Sequence, residues 1–552
     1  MPESLQGTNS NRPFLLAIGL FLLLYLVLAM LGVPQGWTAR IQAGASHEAL
    51  EDATGDADHI PASVEAYEAE SDVHNAETLV PPPIWTVLPF LLLISAVAIF
   101  PLLRFTELWW ESNRNRLLVV LVLATATLAY YAFFHAQPVE GHWPTHKLES
   151  PVAGVNWALA RTVFENAILG EYVPFIVLMF SLYVITGGIR IEGDLTPRPS
   201  TNVAILTVGG LLAGFIGTTG AAMLLIRPLL EANRGRKRVV HTVVFFIFVV
   251  CNCGGLLLPI GDPPLFLGYL RGVPFLWTLT LWRPWLFVNG ALLTVYFLWD
   301  RFYAYPLENV EEGTRSQRGS KSKIAKRRRT NSDDSQCSAS LRVLGLWPNA
   351  FLLLGVVLSI ALLTPERSFL QTDWHPWLFL REAVQLGLVA CSLAMSRREV
   401  RQANRFNYLA MAEVAILFFG IFICMQAPLQ ILTVEGSRLG VRSPAAFFWA
   451  TGLLSSLLDN APTYVVFFTM AGTLETPEGA TVVAGVAESL LIGISLGAVF
   501  IGAMTYIGNG PNFMVKSIAE QSGVEMPSFF GYMLYSCAVL LPILLVTTWL
   551  FL

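Results

Sequence analysis

Between Asn252 and Pro264 the chain reads NCGGLLLPIGDPP, which sets glycines, prolines and the carboxylate of Asp262 inside a long apolar segment. A plain spanning helix needs none of these. A helix broken at membrane depth frees backbone N–H and C=O groups, and these are tolerated only where protein or a water-filled cavity satisfies them. A second break, GAMTYIGNGPN from Gly502 to Asn512, lies in the C-terminal half. Paired interruptions at corresponding places in two halves point to the substrate site of a secondary transporter.

Two aspartates sit at such points, Asp262 in PIGDPP and Asp459 in LLDNAP. Carboxylates at bilayer depth are expensive and rare, and by default they mark an ion or proton pathway. The breaks add free carbonyls and helix ends, the oxygen ligands that hard cations such as sodium take, by extension from calcium and magnesium. Asn252, Asn460, Asn509 and Asn512 contribute side-chain carbonyls, and Thr218, Thr219, Thr463 and Thr505 contribute hydroxyls. Asp262 and Asp459 are therefore the candidate cation ligands, with sodium as the transported or coupling ion and no resident cofactor. A competing reading has both aspartates capping helix ends through their side chains, and the two roles can coexist.

Other charged residues in or near apolar segments are weaker candidates. Glu413 is either a relay member or an interfacial partner of Arg405, Glu171 is interfacial, and Glu488 is a solvated end charge. Arg227 and Lys516 either neutralise the aspartates or snorkel toward water. The histidines fall in loops or at span ends, His47-Glu48 lacks the second histidine of a zinc protease, and no GKS or GKT phosphate loop is present. Ser455 and Ser456 precede Asp459, but no histidine or lysine nearby in the apolar sequence activates either for intramembrane catalysis.

The elements that must position these groups follow from composition. Of 552 residues 54% are hydrophobic and 13% charged, and the mean hydropathy is +0.57, which together describe a polytopic membrane protein. A net charge of -4 without a clustered basic face gives no basis for nucleic-acid binding. The six cysteines lack paired spacing, so neither a disulfide framework nor a zinc site is indicated.

Eleven spans are expected: Phe14–Gly32, Ile84–Leu103, Leu117–Phe134, Pro174–Ile189, Val239–Tyr269 (broken), Leu286–Trp299, Trp347–Leu363, Leu380–Met395, Leu409–Met425, Val482–Ala519 (broken) and Phe530–Leu552. Two further runs, Thr201–Leu230 and Pro444–Gly472, are split by GTTG and DNAP. Each half is then too short to cross, and both runs read as re-entrant hairpins. The fold class is all-α and polytopic.

After residues 1–33, a first span or a signal peptide with a cleavage site near Ala43-Gly44-Ala45, comes an acidic segment over 34–83. Residues 84–300 and 347–552 then present the same order of elements on either side of a basic linker, 301–346. Five crossings per unit is odd, so the second unit enters from the opposite side and the two are inverted-topology repeats, one hairpin opening to each face. Ile41 to Val80 carries ten acids and no lysine or arginine, whereas Arg234–Arg238, Arg397–Arg405 and KSKIAKRRR in the linker are basic. The basic loops should be cytoplasmic, as is the N-terminus if the first span is retained, and the C-terminus external. The acidic and basic segments are expected to be disordered, the basic one touching anionic lipid.

NCGGLLLPIGDPP, LLDNAP and TYIGNGPN, in this order and with hairpins between, resemble the ion transporter superfamily. The nearest likeness is to bacterial NhaD-type sodium/proton antiporters, within the broader citrate-transporter-like domain, over Leu117 to Leu552. The resemblance implies a bacterial inner-membrane homodimer with a scaffold part and a mobile transport part. It carries ion binding to Asp262 and Asp459, with Asn252 and Asn460 alongside. Departures are Cys253 in place of an alanine, Pro263-Pro264 in place of hydroxyl residues, and tips reading GTTG and DNAP rather than serine-asparagine-threonine. Sodium/proton antiport by alternating access is the leading expectation, sodium-coupled import of citrate or a dicarboxylate the alternative, and an oxyanion a third cargo.

Overall fold

The computed structural model describes residues 12–40, 42, 80–103, 105–141, 147–193, 195–306, 342–365, 368–369, 372–404 and 406–552. Most of the acidic segment, Ala43-Gly44-Ala45 and nearly all of the basic linker lie outside them, as does Arg405. Among the described residues six helices are long and apolar enough to cross a bilayer. A seventh is reached if Leu15–Met30 and Val33–Arg40, bent by 69°, count as one span. Among the described residues sheet is confined to three two-stranded antiparallel ribbons, and the fold is all-α and polytopic. Large apolar side chains face outward on its surface, among them Leu16, Leu118 and Trp549, as a lipid-facing perimeter requires.

Each expected span coincides with helix, but four boundaries need correction. The span placed over Pro174–Ile189 is the second half of a 30-residue helix, Trp157–Thr186, with a π-helical stretch at Asn166–Tyr172. Its charges hid the first half. Arg161 pairs with Glu165 at 2.7 Å, and Glu171 is bound by Arg271. The helix expected to stop at Met425 continues through Gln426–Glu435 to Leu439, with the Gln426 amide folded back onto the Phe422 carbonyl at 3.2 Å. The first hairpin's leading arm, Pro199–Ile216, has 18 residues and is by length and composition able to cross, contrary to the expectation of a short arm. The second broken helix starts at Glu488, because Val482–Ala487 forms a small β-ribbon. Glu488 at that start is half-buried, and its carboxylate accepts the Trp277 indole N–H at 2.9 Å.

The breaks and hairpins lock together crosswise. The second hairpin arm Thr218–Ala232 packs along Gly510–Gln521, the outgoing half of the second broken helix. Asn460–Gly472, the corresponding arm of the other hairpin, packs along Pro263–Leu270, the outgoing half of the first. Ingoing half Val240–Val249 is almost wholly enclosed, with Phe245, Phe246, Ile247 and Phe248 all inaccessible. On the other side Leu409–Cys424 packs on Asn113–Phe133, and Leu380–Met395 packs on Val173–Thr186 and Leu346–Leu362. The N-terminal helix joins this group, with the Tyr25 hydroxyl on the Leu378 carbonyl at 3.0 Å.

Close helix approach here uses small residues, because lipid offers apolar surfaces no incentive to associate. Gly493 and Gly497, one turn apart on the second broken helix, meet the backbone of Pro444 and Phe448 on the leading arm of the second hairpin. A Cβ at either glycine would overlap a carbonyl oxygen. Gly497→Val should therefore lower stability by about 1–3 kcal/mol through overpacking, seen as a lower melting temperature in detergent. Gly290→Val, where nothing stands within 4 Å of a built Cβ, should leave it near wild type.

Candidate functional site

Both breaks are built alike. In the first, a 3-10 turn at Cys253–Leu257 leads to extended Leu258 (φ -133°, ψ 153°), and Asp262 (φ -142°, ψ 141°) starts the outgoing helix. In the second, a 3-10 turn at Gly502–Met504 leads to extended Thr505 (φ -134°, ψ 167°), and Asn509 (φ -151°, ψ 137°) starts the outgoing helix. Each outgoing helix has proline in its first turn, where a missing N–H breaks no hydrogen bond. Each loop also crosses itself at glycine. A Cβ on Gly261 would collide with the Gly255 carbonyl, and one on Gly508 with the Gly502 carbonyl.

The hairpin tips close on these loops. Gly217 adopts φ 78°, a conformation open to glycine, and so turns the chain to present the Thr218 N–H to the Gly261 carbonyl at 2.8 Å. Opposite, Asp459 starts the second arm and Asn460 packs against Gly502.

At the centre the Asp262 carboxylate is fully buried and accepts three hydrogen bonds from three different elements. Asn460 Nδ2 donates to Oδ2 at 2.9 Å, Asn509 Nδ2 to Oδ1 at 2.9 Å and the Thr218 hydroxyl to Oδ1 at 3.2 Å. All three donors are neutral. Asn509 also donates to the Cys251 carbonyl at 3.0 Å, tying the two breaks together. A second bridge runs from Asn252 Nδ2 to Asn512 Oδ1 at 2.8 Å, while Asn512 Nδ2 donates to the Thr505 carbonyl at 3.0 Å. Asn252 Oδ1 is buried and accepts nothing from the protein.

Thus Asp262, Asn460, Asn509 and Thr218 form one cluster, with Asn252 and Asn512 beside it. Thr505 is one step removed, donating to the Ser456 carbonyl and accepting the backbone N–H groups of Ile507 and Gly508. Thr219 is half-buried. Asp459 is half-buried as well. Its Oδ1 accepts the Ala461 N–H at 3.1 Å, a helix cap, and Thr463 donates to its carbonyl at 3.0 Å. The asparagines were expected to offer carbonyls, yet Asn460 and Asn509 turn their amino groups to the carboxylate.

Of the weaker candidates, Glu413 pairs with Arg116 at 3.0 Å, and Lys516 pairs with Glu520 at 2.9 Å rather than with either aspartate. Ser455, weighed in the sequence only as a nucleophile and set aside, instead places its hydroxyl 3.0 Å from Asn460 Oδ1.

A large cavity lies elsewhere. A vestibule of about 930 Å³ opens at one end of the bundle, with Glu171, Arg271, Arg381 and Glu382 on its walls and Leu267 and Phe468 at its inner edge. Burial pushes the His135 ring on its wall down to about 4, so that ring is neutral at pH 7. Leu267 is five residues past Asp262 on one helix, and Phe468 eight past Asn460 on the other. At 1.5 Å rise per residue the cluster lies roughly 7–12 Å beyond the vestibule. Between them Tyr464 is buried against Gly268.

No curated protein matches the chain. A family model described as "Putative citrate transport" matches residues 80–552, which takes in both hairpins, both breaks and every residue of the cluster. The chain belongs to this citrate-transport family, and it is a multi-pass membrane protein of the secondary-transporter class.

Proposed function

We propose that the protein is a sodium/proton antiporter in which cation and proton compete for Asp262. The observation that carries this reading is a fully buried carboxylate held by neutral donors alone. Hydrogen bonds from amides and a hydroxyl orient such a group but do not cancel its charge, and a bound cation or a proton does. Competition of the two for one group couples their movements in opposite directions. The unpartnered Asn252 Oδ1 and the carbonyls exposed by the breaks are further oxygen ligands for the cation. The three donors to Asp262 are neutral and none is an arginine or lysine, which disfavours the cluster as an anion site.

In this reading residues 84–300 and 347–552 are inverted-topology repeats, supported by the matching geometry of their breaks. The hairpins and broken helices move against the remaining helices to expose the cluster to each face in turn. The chain works as a homodimer in a bacterial inner membrane, and the vestibule faces outside. Asp459 is the second carboxylate on the cation's path, and its cap on Ala461 is compatible with that role.

A second reading is sodium-coupled uptake of citrate or a dicarboxylate. The family's description and the three arginines on the vestibule wall, Arg40, Arg271 and Arg381, favour it. Everted vesicles with an imposed proton gradient separate the two. Antiport predicts dissipation of the gradient on adding sodium or lithium, whereas sodium-dependent accumulation of labelled citrate with no such dissipation would reverse the assignment.

Asp262→Asn should abolish exchange, by about 100-fold or more, since a contact to a charged group is worth roughly 3 kcal/mol at its upper end. Asp459→Asn separates capping from ion handling. Asparagine caps helices as well as aspartate does, so melting temperature should hold while exchange falls; exchange at the wild-type rate would remove Asp459 from the path.

A further inference from the structure

Ser455 is fully buried on the leading arm of the second hairpin, and its hydroxyl faces two acceptors with one proton. Asn460 Oδ1 stands at 3.0 Å and the Ala498 carbonyl at 2.9 Å. Ala498 belongs to the π-helical turn Gly497–Ile501, a feature often found at functional sites. Two arrangements of the Asn460 amide are open. In the one seen here the amino group faces Asp262 Oδ2, the carbonyl faces Ser455, and the single hydroxyl proton serves either Asn460 or Ala498. Turning the amide half over sends its amino group to Ser455 Oγ, releases the hydroxyl proton undivided to the Ala498 carbonyl, and brings Oδ1 beside Asp262.

We infer that Ser455 is a positioning residue that lets Asn460 turn from hydrogen-bond donor to cation ligand at Asp262. The first orientation satisfies the bare carboxylate. The second sets an amide oxygen next to it, the pair of hard ligands that a small alkali cation takes. Gly502 supplies the space, because a Cβ there would overlap the Asn460 oxygen and stand 3.1 Å from its Nδ2. Other groups do not enforce either orientation. Asn509 and Thr218 approach Asp262 through Oδ1, leaving Oδ2 to Asn460. The inference rests on the cation reading above and goes beyond it by assigning how an amide seen as a donor becomes a ligand.

Counting hydrogen bonds gives a signed expectation. With the amino group toward Asp262, Ser455 makes one bond; with the amide turned, it makes two. Ser455→Ala removes one more bond from the cation-bound arrangement than from the other, so it weakens cation binding. One net hydrogen bond corresponds to about a three- to tenfold loss of affinity.

The test is a sodium titration of the purified full-length protein, read by thermal stabilisation and by tryptophan fluorescence, with choline as the control cation. Ser455→Ala should raise the half-saturating sodium concentration by that factor, and in vesicles it should raise it again with the maximal rate retained. Ser455→Thr, which keeps the hydroxyl, should return it to the wild-type value. An unchanged half-saturation in Ser455→Ala overturns the assignment, as does a fall in maximal rate alone, or a folded threonine variant as weak as alanine. A wild-type protein that shows no response to sodium removes the cation reading itself and this inference with it.

Discussion

A buried carboxylate held by neutral donors organises the middle of this molecule. Asp262 is inaccessible and its three partners are an amide from each of two elements and a hydroxyl from a third. Isolated charge in a low-dielectric interior is unfavourable by several kcal/mol after relaxation. Neutral dipoles recover part of that, and only if they are aimed. The surrounding architecture can be read as the apparatus that aims them. Two tips and the second broken helix are brought to Asp262 on the first, so that each donates a single group.

Aiming needs backbone that helices cannot provide. Both outgoing helices begin beside the cluster, at Asp262 and Asn509, and a helix N-terminus favours nearby negative charge. Getting there takes a 3-10 turn, two extended residues and a loop that crosses its own backbone. Gly255 with Gly261, and Gly502 with Gly508, allow the crossings. The loop polar groups are then absorbed by asparagines, with Asn509 on the Cys251 carbonyl and Asn512 on the Thr505 carbonyl. The amides thus serve as structural replacements for the missing helix ladder and as ligands to the carboxylate, which explains why they outnumber charged residues here.

Much of this was legible before any coordinates. NCGGLLLPIGDPP and GAMTYIGNGPN announce breaks because glycine, proline and asparagine have no other reason to gather in an apolar run. The residues gathered at Asp262 come from 218, 460 and 509, and local pattern named each of them without showing that they meet. Two kinds of information stayed hidden. Charged residues that pair within the bundle, such as Glu171 with Arg271, look in sequence like span ends, which shortened the helix from Trp157. The orientation of an amide is set by its neighbours in space, so side chains expected to offer oxygen were found offering N–H groups. Nor could pattern separate the two aspartates, one central and one at a half-buried cap.

That last difference bears on the exchange proposed above. The two breaks share their backbone course, yet Asp262 begins one outgoing helix and Asn509 begins the other, and the second donates to the first. Had both been aspartates, two carboxylates would face each other without a donor between them, and like charges at that distance force one to stay protonated. Asparagine has the same shape with the opposite hydrogen-bonding sense toward its neighbour. It converts a repulsive pair into a hydrogen-bonded one and leaves a single ionisable centre. A single centre takes a cation or a proton but not both. In the antiport proposed above, exchange would follow from occupancy of one group and would not require a long relay of acids across the bundle.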